Sequence, residues 1–211
     1  SIRPIYQDKR GSVWVGTYFG GVNVFDRHLP NFQNHSRIPS TNSLSYNVVG
    51  GILEDEKGNL WVGTEGGGLN YMEDQTFRHY KHDPTVPGTL SHNHVKSLYL
   101  DPQGDLWIGT YNGGLNLLRK GRRQFETFRH DPTDPLSLSH DNVYAICGDR
   151  HGNVWMGTYG GGINLVRPGS GMRFERFNVS STLVRTVFVD SKDNLWVGTE
   201  DGLNVLRPEK H

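Results

Sequence analysis

The chain is nearly without cysteine, has no net charge, no long apolar run and no helix signals, and each absence narrows what it can be. A single cysteine, Cys147, stands among 211 residues, so no intrachain disulfide can form and packing alone must hold the fold. One cysteine fits a reducing compartment and a bridge-free periplasmic protein equally well. No stretch of apolar residues is long enough to span a bilayer. There is no signal peptide, and the chain opens on Ser1-Ile2-Arg3 without an initiator Met, as a processed or excised piece would. The 22 Lys and Arg balance 22 Asp and Glu, which removes any global pull toward nucleic acid or an anionic membrane. The one basic cluster, Arg119, Lys120, Arg122 and Arg123 around Gly121, reads as a solvated turn. What is abundant is glycine, 27 residues, which with the missing helix signals points to all-β structure with many turns.

The strongest signal is an internal repeat. All five tryptophans open one short phrase: Trp14-Val15-Gly16-Thr17, Trp61-Val62-Gly63-Thr64, Trp107-Ile108-Gly109-Thr110, Trp155-Met156-Gly157-Thr158 and Trp196-Val197-Gly198-Thr199. Their spacings are 47, 46, 48 and 41 residues. An aspartate stands six residues before each Trp: Asp8, Asp55, Asp101, Asp149 and Asp190. Each phrase closes on a Gly-apolar-Asn triplet ending at Asn23, Asn70, Asn116, Asn164 and Asn204. Self-similarity at this period marks a repeat architecture.

Each copy reads as four strands. An apolar inner strand (Val95, Leu98, Leu100, for example) runs into an Asp-x-x-Gly turn, where the carboxylate accepts from backbone N–H groups and Gly takes the left-handed position. The fifth copy places Asp193 there, which tolerates that conformation better than most residues. The Trp phrase forms the second strand, a Gly-rich turn leads to the third, and the fourth carries paired aromatics: Phe77 and Tyr80, Phe125 and Phe128, Phe174 and Phe177. Polar connectors such as His82-Asp83-Pro84 and His130-Asp131-Pro132 return the chain to the next inner strand, with His82 and His130 as turn residues. Four antiparallel strands in a repeat of roughly 45 residues is the arithmetic of a propeller blade. A blade cannot bury both faces alone, so neighbours must stack, and one Trp per blade is best placed between them. A β-solenoid competes, but its repeats are usually shorter. The expected fold is therefore an all-β propeller of four-stranded antiparallel blades, at residues 1–46, 47–92, 93–140, 141–182 and 183–211, the last lacking its outer strand.

The phrase running from Asp55 to Asn70, Asp-x-x-Gly-Asn-Leu-Trp-Val-Gly-Thr-x-x-Gly-Gly-Leu-Asn, resembles the two-component regulator propeller repeat. So does the connector Leu90-Ser91-His92-Asn93-His94-Val95. The resemblance covers almost the whole chain. It implies a periplasmic sensor domain of a bacterial signalling protein, seven-bladed propellers, carbohydrate ligands, and a membrane-bound histidine kinase or diguanylate cyclase portion as partner. This sequence departs from that pattern: five repeats, no membrane helix, no kinase, and a short join at Phe177 to Thr182 without the His-Asp-Pro connector. Closure has three readings: a fragment of a larger propeller, a five-bladed ring with one three-stranded blade, or arcs that self-associate through open blade ends.

Residues present in every copy read as frame, so function should lie where copies differ. The turn between the second and third strands varies: Tyr18-Phe19, Glu65, Tyr111-Asn112, Tyr159 and Glu200-Asp201. The connector on the same propeller face varies too, with Tyr46, His92, His94, His140 and Asp141. These would ring one mouth of the central channel with aromatics, carboxylates and histidines, suited to a small-molecule or oligosaccharide ligand. Taken singly, each is more often a solvated loop residue. His92-x-His94 has metal-like spacing without a third ligand. The Gly-rich turns precede strands and not helices, unlike phosphate loops. No catalytic set stands out, and no cofactor, metal or nucleic acid is expected. The alternatives to ligand sensing are a propeller lyase or glycosidase with acids or His at the mouth, and a non-catalytic scaffold.

Overall fold

In the computed structural model, residues 1–26 and 32–207 are described. The expected blade spans 1–46 and 183–211 therefore each include residues outside the description. The described residues form nineteen strands and no helix. Blade 1 comprises β1 (Ile2–Gln7), β2 (Val13–Thr17), β3 (Val22–Phe25) and β4 (Gln33–His35); blade 2, β5 (Val49–Glu54), β6 (Leu60–Thr64), β7 (Gly68–Glu73) and β8 (Thr76–Tyr80). Blade 3 comprises β9 (Val95–Leu100), β10 (Leu106–Thr110), β11 (Leu115–Leu118) and β12 (Glu126–Phe128); blade 4, β13 (Val143–Gly148), β14 (Val154–Thr158), β15 (Gly162–Val166) and β16 (Glu175–Phe177). Blade 5 has three strands, β17 (Val184–Val189), β18 (Leu195–Thr199) and β19 (Gly202–Leu206). Each sheet is an antiparallel meander, and the five are arranged as a five-bladed β-propeller.

The repeat residues act in two ways. Within a blade, the Asp carboxylate closes its turn: Asp101 accepts from the Gln103 and Asp105 N–H groups at 3.0 and 2.9 Å. Its second oxygen accepts the Trp107 indole N–H at 2.8 Å. The same indole bond forms in blades 1, 4 and 5. In blade 2 the Tyr71 hydroxyl donates to Asp55 instead, at 3.0 Å. The buried Thr110 hydroxyl closes the next hairpin on the Gly114 carbonyl at 2.8 Å. Asn116, fully buried, clamps the incoming connector by accepting from the Ser91 N–H and donating to its hydroxyl.

Between blades, the Trp face of one blade packs on the Val/Leu face of the next. Four apolar clusters result, one per junction: Trp14 with Val49 and Val62, Leu53 with Val95 and Ile108, Trp107 with Val143 and Met156, Trp155 with Val184 and Val197. The glycine within the Trp phrase of blades 1 to 4 is required by this approach. A Cβ on Gly109 would meet the Val143 carbonyl oxygen of the next blade at 2.6 Å. Backbone stitches reinforce the junctions, as where the Gly114 N–H donates to the Asp141 carbonyl at 2.9 Å.

The fourth strands of blades 3 and 4 are shorter than the aromatic pairs suggest, whereas β8 includes both Phe77 and Tyr80. Phe125 and Phe174 lie just outside β12 and β16 because their N–H groups donate to the connector carbonyls of Gly88 and Leu136, both at 2.8 Å. Consecutive inner strands pack together from β1 to β17, but β17 does not pack on β1 in the same way. The faces at the two ends are solvent-exposed, Ile5 on blade 1 and Phe188 and Leu203 on blade 5 each by more than 60%.

Candidate functional site at the channel mouth

Every inner strand breaks register with its neighbour near its start, at a β-bulge. The unpaired residues are Arg3 with Pro4, Gly50, Lys96, Tyr144 and Arg185. A bulge re-aims the side chain it frees. Here, in every blade but the second, where the freed residue is Gly50, that side chain reaches the residue that opens the turn between second and third strands; in all five blades a backbone hydrogen bond holds that turn residue beside the bulge. Tyr18, Glu65, Tyr111, Tyr159 and Glu200 donate from N–H to the carbonyls of Ser1, Val48, His94, Asn142 and Leu183 at 2.8–3.1 Å.

The result is a row of contacts along the mouth that crosses each of the four junctions between successive blades. Arg3 of blade 1 pairs with Glu65 of blade 2 at 3.6 Å. Glu65 pairs with Lys96 of blade 3 at 2.7 Å, and both side chains are largely buried. The Lys96 ammonium lies 5.1 Å from the ring centre of Tyr144 in blade 4, and 5.8 Å from that of Tyr111. Arg185 of blade 5 lies over Tyr144 and Tyr159 at 5.8 and 4.5 Å. It donates to Glu200 at 2.6 Å and to the Tyr159 hydroxyl at 3.3 Å. Tyr144 and Tyr159 stack at 5.0 Å, and Arg3 lies 5.2 Å from the ring centre of Tyr18. Burial pushes the Tyr144 phenol above its ordinary pKa, against the opposing pull of Arg185. The bond to Glu200 raises the Arg185 guanidinium further. Cations held over aromatic faces and beside carboxylates are fixed in place before any ligand arrives.

The structure thus brings Tyr18, Glu65, Tyr111, Tyr159 and Glu200 into one row. The other candidates stand beside it. Phe19 packs edge-on against Tyr18 at 4.5 Å and is 63% exposed. The Tyr46 ring lies against Gly66, so closely that a Cβ there would meet it at 3.2 Å. Asn112 donates its N–H to the Asn142 side chain at 2.7 Å. His92 and His140 accept the N–H groups of His94 and Asn142 on Nδ1, at 3.2 and 3.1 Å. Asp201 donates its N–H to the Thr199 hydroxyl at 3.2 Å. Burial, with His94 nearby, lowers the His92 pKa. Among the described residues, no group of three or more His, Cys, Asp or Glu side chains is placed to hold a metal ion. Sequence reasoning missed Arg3, Lys96, Tyr144 and Arg185. The available signal was the residue following the first inner-strand apolar position, which reads Arg, Gly, Lys, Tyr, Arg across the five copies.

Five segments, residues 1–19, 43–66, 89–112, 137–160 and 178–201, match the two-component regulator propeller model. The chain belongs to the two-component regulator propeller family. No curated protein matches. Among solved structures, this regulator propeller is similar to the extracellular domain of the hybrid two component system BT3049 from B. thetaiotaomicron. The identity is 25% with a TM-score of 0.83, covering 98% of this chain and 28% of that one. PorZ, a bacterial surface component of the type-IX secretion system of Porphyromonas gingivalis, shares the fold at 20% identity and TM-score 0.70, covering 98% of this chain and 32% of that one. So does virginiamycin B lyase from Staphylococcus aureus, at 14% identity and TM-score 0.69, covering 100% of this chain and 71% of that one. The regulator propeller spans about a third or less of the first two. It is a propeller domain related to extracellular domains of hybrid two-component systems.

Proposed function

We propose that this regulator propeller is the ligand-sensing part of an extracytoplasmic, periplasmic signal-transduction protein, and that the mouth row is its ligand contact. The ligand is a glycan or another small molecule, and the signal passes to a membrane-bound kinase or cyclase portion of the parent protein. The carrying observation is the row itself: one continuous set of charged and aromatic side chains crosses each of the four junctions between successive blades. A ligand that competes for any one of these contacts changes the balance between two blades. Binding energy is thereby coupled to blade packing, as a sensor requires.

The test is a binding screen of small oligosaccharides against wild type and Tyr111→Ala. Tyr111 is 36% exposed, so its loss should leave the fold intact and abolish or strongly weaken binding. Unchanged binding by the variant would remove the mouth from consideration. A lyase reading has one supporting observation, the Tyr159 hydroxyl within reach of both Arg185 and Glu200. A hydroxyl so placed could serve as an acid or base. Appearance of an unsaturated sugar product on prolonged incubation, lost in Tyr159→Phe, would favour it over sensing.

A further inference from the structure

We propose that the mouth row selects an acidic saccharide, one bearing a carboxylate or a sulfate ester, and that Arg3 is the residue that takes its oxyanion. This rests on the mouth being the ligand site. The row carries three cations, Arg3, Lys96 and Arg185, against two carboxylates, Glu65 and Glu200. The positive surplus is not spread evenly. Arg185 already directs Nε and one Nη at Glu200 and Tyr159. Lys96 holds the closer of the two contacts to Glu65, at 2.7 Å, with only 15% of its side chain exposed. Arg3 shares that same carboxylate at 3.6 Å, beyond hydrogen-bond distance. Its other contact is the Tyr18 ring, whose centre lies 5.2 Å from the guanidinium carbon. Arg3 is therefore a fixed cation, 44% exposed, whose fork of donors is uncommitted.

Two neighbouring features suit a sugar beside that cation. The next bulge position is Gly50, so no side chain projects between Arg3 and Lys96 at that place in the row. Tyr18 beside Arg3, and Phe19 packed against Tyr18, are exposed by 43% and 63% and offer aromatic surface on which a pyranose ring can stack. A guanidinium fork matches the paired oxygens of a carboxylate or a sulfate and has no counterpart on a neutral sugar. Glu65 disfavours anions at Lys96 while leaving Arg3 the less neutralised of the pair. That orders the site, with the oxyanion at blade 1 and the ring extending toward blade 3.

Calorimetric titration of the protein with trigalacturonate, a sulfated galactose trisaccharide and neutral trigalactose tests this, at low and high salt. The expected result is that one or both acidic trisaccharides bind roughly tenfold to hundredfold more tightly than the neutral one, the size of a charge-assisted hydrogen bond. That advantage should shrink as salt rises. Whichever acidic arm is tighter names the source of the oxyanion. Arg3→Gln should erase the acidic preference, so that the variant binds acidic and neutral trisaccharides alike; an unchanged melting temperature checks that the fold is kept. Equal binding of acidic and neutral trisaccharides, or a preference that survives Arg3→Gln, overturns the inference while the mouth stands as the ligand site. Binding of no trisaccharide overturns the inference and counts equally against the oligosaccharide-sensing reading.

Discussion

Blades 3 and 5 carry the same phrase and do different things with it. In blade 3, Trp107 is 4% exposed and Leu115 fully buried, because blade 4 covers that face. In blade 5 the equivalent Leu203 is 66% exposed and Trp196 is only partly covered. Gly109 has no room for a Cβ beside the next blade, whereas a Cβ on Gly198 would meet only Thr186 of its own blade. The indole–aspartate bond forms in both blades, at 2.8 Å. The repeat thus contains two kinds of residue. One kind completes the hairpins of its own blade; the other stabilises only once a following blade is in place.

Paired substitutions separate the two kinds. The largest contrast is expected for tryptophan. Trp107→Ala should cost about 3–5 kcal/mol in denaturant unfolding, as for a buried aromatic, and Trp196→Ala clearly less. Equal losses would show that the indole acts mainly through its own turn. Next is the junction glycine. Gly109→Ala should destabilise by about 1–3 kcal/mol through overpacking, and Gly198→Ala by much less. Third, Asn116→Ala should lose about 1–3 kcal/mol, since it strands the buried Ser91 N–H, while the exposed clamp at Asn204 should matter little.

The smallest effect is on the pH dependence of the melting temperature. Hydrogen bonds from the Asn194 and Trp196 side chains hold Asp190 below its ordinary pKa. Burial opposes the same result at Asp8 and Asp149, where it is outweighed by the Trp14 indole and backbone donors at Asp8, and by the Asn153 side chain, the Trp155 indole and backbone donors at Asp149. Folded pKa values below the unfolded value give stability that is present above about pH 4 and lost as pH falls through the folded values. Burial also lowers His35. The unfolded chain therefore takes that proton first, and a shallower loss should begin below about pH 6.5. A melting temperature flat from pH 7 to 3 would contradict both.

Much of the frame was readable in the sequence because turn chemistry is local. Asp-x-x-Gly and Gly-apolar-Asn specify hairpins within a few residues, and Asp193 does adopt the left-handed conformation expected, with φ 61°. The indole–aspartate bond was less accessible, since a six-residue spacing shows it only once both strands are in register. Tyr71 taking the place of Trp61 as donor to Asp55 lies further still from any local rule. The mouth divided along the same line. Tyr18, Glu65, Tyr111, Tyr159 and Glu200 were accessible as the variable turn position. Arg3, Lys96, Tyr144 and Arg185 owe their direction to bulges, which are properties of strand pairing and leave only a variable position inside an otherwise apolar strand.

The propeller has two ends, and they offer a ligand different chemistry. The mouth presents the charged and aromatic row. The opposite end, beside the Asp turns, has an interblade groove of about 540 Å³ lined by Lys9, Trp14, Glu54 and Met72, where the Lys9 N–H is already bound to Glu54. Backbone chemical-shift mapping with the tightest-binding trisaccharide distinguishes them most directly. Shifts should concentrate at Arg3, Gly50, Glu65, Lys96, Tyr144 and Arg185, spanning several blades. Shifts confined to the groove around Lys9 and Glu54 would contradict the mouth as the sensing site.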